Sequence, residues 1–244
     1  MIRSTLILLI LYILSSCHSN EGKGIKDSVV GGAYQKIQFQ FPVIIDSFKP
    51  QNVHTLKSIP LHHYHVLYVG SLTDSISVSY KPYRSVYSHY EGLRKRHREL
   101  HHGDIQLFVD TTNELYGYGF VKSLNVGKKS EGFSLEETYF RALPVFVFNN
   151  CADTLLVGYG DALNFILEVK NQKGKWQALN LWEGTMTGTQ AILLPSNHVT
   201  LTSVPIFKGS FKTVFRLRFD NLGLIVSNEY AGSIDPLLIK KEIR

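Results

Sequence analysis

The 244-residue sequence contains only two cysteines, two methionines and two tryptophans. Two cysteines, Cys17 and Cys151, exclude the dense disulfide framework that holds small secreted domains together, so stability must come from core packing. No apolar run approaches the roughly 20 residues of a transmembrane helix: residues 6–14 break off at Ser15 and turn polar by His18. Several catalytic phrases are also missing. There is no Gly-x-Ser-x-Gly elbow, no Cys–His pair near Cys151, and no carboxylate pair at an identifiable catalytic spacing. The glycine-aromatic phrases Tyr116-Gly117-Tyr118-Gly119 and Gly158-Tyr159-Gly160 lack the strand-to-helix context of a phosphate loop and read as loops that expose tyrosines.

What the N-terminus does contain is an address. Arg3 supplies a positive charge ahead of the apolar stretch LILLILYIL, the profile of a secretory signal. Leu14-Ser15-Ser16-Cys17 resembles the lipobox of bacterial lipoproteins: an aliphatic residue, two small residues, then the cysteine that takes a diacylglycerol. The resemblance implies a signal peptide over residues 1–16, lipidation of Cys17 as the first mature residue, and a membrane as partner. Each buried methylene of the acyl chains contributes about 0.8 kcal/mol, so several chains hold a domain at a membrane without a spanning helix. Residues 17–33, rich in Gly, Ser and charge, read as a flexible tether. His18 stands where an inner-membrane retention signal would place Asp, which favours the outer membrane and leaves the leaflet open.

Removal of residues 1–16 takes Arg3 from 26 basic residues against 20 acidic ones, leaving a net charge of +5. The excess is concentrated in Arg94, Lys95, Arg96 and Arg98 and in Lys240, Lys241 and Arg244. An envelope address excludes nucleic acid as a partner and points this charge at solvent, anionic lipid or glycan.

Thirteen tyrosines and fourteen phenylalanines, with β-branched residues in short alternating runs, make the composition β-rich. Seven strand candidates follow one another at residues 144–149, 163–169, 176–181, 190–194, 198–204, 213–219 and 223–227, separated by turn phrases such as Lys173-Gly174 and Pro195-Ser196-Asn197. This is the pattern of an immunoglobulin or fibronectin-like antiparallel β-sandwich over residues 141–244. Residues 213–219 put Phe215, Leu217 and Phe219 on one face and Val214, Arg216 and Arg218 on the other. Residues 34–140 read as an irregular β-rich or α+β region that could share the same core. Its strand candidates are 36–45, 64–69, 75–80 and 105–110, with a helix at 91–101. Ser134 and Glu137 have capping-box spacing and predict a second short helix ended by Pro144.

Several phrases together resemble a family of Bacteroidetes lipoproteins with no assigned activity. They are Asn171-Gln172-Lys173-Gly174-Lys175-Trp176, Leu194-Pro195, residues 204–213 (VPIFKGSFKT) and residues 227–234 (SNEYAGSI), with Leu107-Phe108-Val109-Asp110-Thr111-Thr112 upstream. The resemblance covers about half of the chain and implies an immunoglobulin-like C-terminal region and an envelope address. Residues 184–189 (GTMTGT) depart from it, standing where relatives carry a Trp-Cys or Cys-Gly phrase.

The candidate site residues are few. His97 and His101, at i and i+4 on the expected helix, could supply two ligands to Zn²⁺, with His63 or His65 completing the site. The segment His97-Arg98-Glu99-Leu100-His101 is not the His-Glu-x-x-His motif, and its arginines oppose a cation. Asp110-Thr111-Thr112 reads as a turn whose side chains bond their own backbone. Trp176 reads as core, whereas Trp182, Tyr118 and Tyr159 are candidates for stacking on a ligand. No cofactor is implied. The leading expectation is a non-enzymatic, lipid-anchored interaction or structural accessory module. A glycan-binding lipoprotein comes second and a metal-dependent hydrolase third.

Overall fold

Along residues 211–219 burial alternates as the sequence requires: Phe215, Leu217 and Phe219 are buried, whereas Arg216 and Arg218 are half-buried on the opposite face. The computed structural model describes residues 41–46, 48–54, 56, 64–78, 87–89, 103–124, 133–179, 190–219 and 225–239. All of them belong to one compact unit starting at residue 40; the chain's other unit, residues 1–39, lies outside the described residues.

The fold is mainly β. Its strands are β1 (Val43–Asp46), β2 (Val53–His54), β3 (Tyr68–Ser71), β4 (Ser75–Val78), β5 (Tyr87–His89), β6 (Ile105–Val109), β7 (Leu115–Leu124) and β8 (Phe133–Asn149). They continue with β9 (Leu155–Tyr159), β10 (Ala162–Leu163), β11 (Phe165–Lys170), β12 (Trp176–Leu179), β13 (Gln190–Leu194), β14 (His198–Pro205), β15 (Phe211–Phe219) and β16 (Tyr230–Ile234). One short helix, α1 (Pro236–Ile239), follows.

The 17-residue strand β8 organises the first sheet. Its C-terminal half pairs antiparallel with β14 on one edge and β6 on the other; its N-terminal half pairs with β7, and with β2 in parallel. Because Ala142 pairs with both Leu115 and Pro205, β6 and β7 share one edge of β8 and β14 takes the other. Between β6 and β7, Asp110 turns the chain. Its carboxylate accepts hydrogen bonds from the Thr112 amide (2.8 Å), the Thr112 hydroxyl (2.6 Å) and the Asn113 side chain (2.7 Å). Pro144 lies opposite this turn, and its carbonyl accepts from the Asp110 amide. A strand residue's N–H and C=O point the same way, so proline's missing donor falls at the break between β6 and β7, where the ladder loses little.

A second sheet has the order β10-β9-β13-β5 and a third the order β12-β11-β15-β16, both antiparallel; β1 and β4 form a small parallel pair. Phe207, just after β14, stacks on Phe215 of the third sheet at 6.2 Å, and Phe215 stacks on Tyr230 at 5.6 Å. Tyr64 packs edge-on against Phe165 at 5.4 Å, and Phe165 against Phe219 at 4.9 Å. The arrangement is sandwich-like, with Phe140, Phe146, Leu201 and Leu217 fully buried; burial of each such side chain contributes about 1.5–3 kcal/mol. At one corner the buried amide of Asn149 donates to the carbonyls of Asp153 and Leu194 and accepts from the Cys151 amide, fixing how β8 leads into β9.

Several sequence expectations change. The helix expected from Ser134 and Glu137 is part of β8, because ten consecutive residues, Phe133 to Ala142, find ladder partners on β7 and this long pairing outweighs a local capping signal. Tyr116-Gly117-Tyr118-Gly119 lies inside β7 rather than in a loop: Gly117 sits under the Phe140 ring, where a Cβ would collide. Of Gly158-Tyr159-Gly160 the first two residues belong to β9 and only Gly160 turns the chain, in the left-handed region at φ 65°, between β9 and β10. Within 223–227 the described residues form only an isolated bridge, Arg218 to Val226, and β15 is flanked by β11 and β16. Trp176 is half-buried on the outer face of the third sheet, not in the core. β8 runs through residues 140 and 141, so strands from either side of that position share one sheet. The helix expected at 91–101 lies outside the described residues.

Candidate functional site

The side chains of β7 alternate, with Leu115, Gly117 and Gly119 inward and Tyr116, Tyr118 and Phe120 on the half-buried face. Its register with β8 sets Tyr118 opposite Tyr139, Phe120 opposite Glu137 and Tyr116 opposite Arg141. Cross-strand aromatic pairs of this kind stabilise a sheet and build a rigid apolar surface. Tyr118 lies 5.4 Å from Tyr139 and 5.6 Å from Phe120, ring centre to ring centre, and Phe48 extends the cluster at 5.1 Å from Tyr139.

Polar groups rim these rings. The imidazole of His65 lies 6.0 Å from Tyr118, and its Nδ1 is 3.0 Å from Oδ2 of Asp161. The backbone holds this pair in place: His65 bridges Ala162, the Val66 amide donates to the Asp161 carbonyl, and the Thr202 hydroxyl donates to the His65 carbonyl. The Tyr118 hydroxyl donates a hydrogen bond to exposed Glu137. The Tyr118 pKa is pushed up to about 12, first by burial, then by the hydrogen bond to Glu137 and the negative charges of Glu137 and Tyr139. A phenol shifted upward stays neutral near pH 7. It can donate a hydrogen bond and offer a ring face, but it is a poor nucleophile.

Two sequence candidates meet in this region and a third lies on a neighbouring strand. His65 touches Tyr118, and Tyr159 on β9 is paired with Ala162, the residue that bridges His65. Cys17, His63, His97, His101 and Trp182 lie outside the described residues. Among the described residues no group of three His, Cys, Asp or Glu side chains converges as a metal would require. The sequence does not single out Tyr139, Glu137, Phe120 or Phe48 as site residues; the signal for Phe120 is the period-two aromatic spacing of Tyr116, Tyr118 and Phe120, masked by the intervening glycines.

Elsewhere, Asp110 is fully buried and both carboxylate oxygens are engaged in its turn, so it serves local structure. A cleft bordered by Leu143, Pro205, Phe207 and Tyr230 encloses about 40 Å³, far below the roughly 300–1,000 Å³ of small-molecule pockets. Among the described residues no helix is long and apolar enough to cross a membrane. Compared with known protein families, curated proteins and solved structures, the chain matches none.

Proposed function

We propose that this chain is a lipid-anchored cell-envelope protein that acts by non-covalent contact, as a protein-interaction or structural accessory module, with the Tyr118 cluster as its contact face. The observation that carries the contact reading is the pairing of Tyr118 with Tyr139 at 5.4 Å on a half-buried sheet face. Tyrosine supplies large contact area with few rotatable bonds and is enriched at protein interfaces. Sheet pairing and neighbouring rings hold both side chains, so little ordering entropy remains to be lost on binding. The address rests on Leu14-Ser15-Ser16-Cys17 and on the family resemblance of the C-terminal phrases.

The two parts are tested separately. Cys17→Ala should move the protein from the membrane fraction to the soluble fraction; retention at the membrane would refute the anchor. For the contact, a photo-crosslinking residue at Tyr116 should give a discrete adduct in native envelopes that Tyr118→Ala abolishes. The same adduct pattern from a crosslinker in the β11–β12 turn, at Lys173, would refute the contact face.

A second reading, glycan binding, draws on the Glu137 carboxylate beside the Tyr118 ring, since sugars are held by a ring face together with an acceptor for their hydroxyls. A glycan array that stays blank, or binding unaffected by Tyr118→Ala and Trp182→Ala, would dispose of it.

A further inference from the structure

On the outer face of the third sheet, cross-strand register sets Glu168 of β11 opposite Arg216 of β15, with Arg218 two residues further along the same face. The Glu168 carboxylate is nearly buried, and its two oxygens are divided between the arginines. Nε of Arg216 donates to Oε2 at 2.7 Å and Nε of Arg218 to Oε1 at 2.8 Å. Trp176 holds the arrangement from the side, with the Arg216 guanidinium 4.1 Å and the Lys170 ammonium 4.9 Å from its ring centre. Lys170 is in turn 3.5 Å from Glu229.

One carboxylate therefore orients two guanidiniums. Among the described residues neither arginine makes a hydrogen bond through its Nη atoms, and each arginine side chain is 23% exposed. Their Cα atoms are roughly 7 Å apart, two residues along a strand. The Glu168 triad keeps one net positive charge, because two cations share a single anion. Guanidinium forks match oxyanions in geometry and are weakly hydrated compared with an ammonium. Recessed arginines are poorly placed to meet a flat lipid surface. They suit a single oxyanion that projects from a ligand.

We propose that Arg216 and Arg218, aligned by Glu168 and braced by Trp176, form a binding site for the oxyanion of a soluble ligand, the carboxylate of an acidic sugar or a phosphate group. This site uses different residues and a different sheet from the Tyr118 cluster, and it stands whether or not that face binds a protein.

The test is calorimetric titration of the full chain in detergent at low salt with two probes, glucuronate and inorganic phosphate. Saturable binding of at least one is expected, and the preferred probe identifies the source of the oxyanion. Arg218→Gln should weaken binding by about 10- to 100-fold, the loss expected for a charge-assisted hydrogen-bonding partner. Arg218→Lys, which keeps the charge and loses the fork, should also weaken it. In a Trp182→Phe background, the Trp176 fluorescence should change with the same saturation curve. The proposal is overturned if neither probe saturates at millimolar concentration, or if folded Arg218→Gln or Arg218→Lys binds as tightly as the unsubstituted chain. It is overturned equally if only phosphatidylglycerol vesicles bind, which would make the face a lipid contact.

Discussion

Asn228 closes on the backbone of Val109 from both directions: its Oδ1 accepts from the Val109 amide at 2.8 Å and its Nδ2 donates to the Val109 carbonyl at 3.0 Å. The side chain thus behaves as one residue of an extra strand against β6, joining positions 119 apart in sequence. It stands next to Ser227, whose hydroxyl accepts from the Leu217 amide and donates to the Asn228 carbonyl. The loop after β15 is therefore tied at once to its own sheet and to β6.

Asn228→Ala should destabilise the fold by about 2–4 kcal/mol, because it leaves a buried donor and acceptor of Val109 unmet and each costs about 1–3 kcal/mol. Asn228→Asp should be at least as damaging. The carboxylate can replace the acceptor, but its second oxygen then faces the Val109 carbonyl. Urea unfolding of the three proteins checks the order; an unchanged midpoint for both variants would contradict it.

Asp110 offers a second, more local test. It terminates β6 by accepting three hydrogen bonds from Thr112 and Asn113. Asp110→Ala is expected to cost about 1–2 kcal/mol, less than the sum of three lost bonds because Thr112 and Asn113 are exposed and regain water. Asp110→Asn keeps an acceptor for the Thr112 amide and should retain most of the stability. Equal losses in the two variants by chemical denaturation would show that charge, rather than the turn geometry, is what matters at this position.

How far the sequence reveals this fold depends on which interactions decide each segment. Residues 213–219 are legible because the alternation of Phe215, Leu217 and Phe219 with Arg216 and Arg218 is itself the physical cause of the strand. Gln190 to Leu194 is legible for the same kind of reason, an apolar run closed by Pro195. By contrast, β7 is hidden by Gly117 and Gly119, which read as loop residues until the pairing with β8 and the Phe140 ring over Gly117 are known. The N-terminal half of β8 is hidden by a capping signal that its pairing with β7 overrides, whereas residues 144–149 already read as a strand. Tyr118 and His65 each stand out as residue types, but their meeting depends on the β7–β8 register and on the Ala162 bridge. The Arg216–Glu168–Arg218 triad is similar: the alternation places both arginines outward, while the carboxylate between them arrives from a strand 48 residues away.

Gly158 carries a third prediction. A Cβ there would overlap the backbone carbonyl of Ala162, which cannot swing aside as a flexible side chain would. Gly158→Ala should therefore open the β9–β10 hairpin and shift Asp161 away from His65, at a cost of about 1–3 kcal/mol typical of overpacking. Gly160→Ala meets no neighbour and suffers only the left-handed backbone at φ 65°, a cost of roughly 1 kcal/mol. Thermal denaturation should rank Gly158→Ala as the more damaging, and the reverse order would mean that the hairpin tolerates displacement of its backbone.

Tyr230 supplies the last. Its ring is buried between Phe215 and the cleft near Pro205, and its hydroxyl finds no hydrogen-bond partner among the described residues. Removing an unmet buried hydroxyl relieves its desolvation cost, so Tyr230→Phe should leave stability unchanged or raise it by up to about 1 kcal/mol near neutral pH. At high pH the variant separates further from the unsubstituted chain. Burial holds the phenol of Tyr230, and with it that of Tyr64, well above the ordinary value of 10. Below pH 10 both tyrosines are protonated folded or unfolded and add no pH dependence. Above it the unfolded chain releases protons that the folded chain keeps, and stability falls by about 1.4 kcal/mol per pH unit for each buried tyrosine. Tyr230→Phe removes one of these two slopes. Urea midpoints measured at pH 8 and pH 11 should therefore converge in the variant relative to the unsubstituted chain. An equally steep loss in both proteins would show that Tyr230 ionises as freely in the folded state as in the unfolded one.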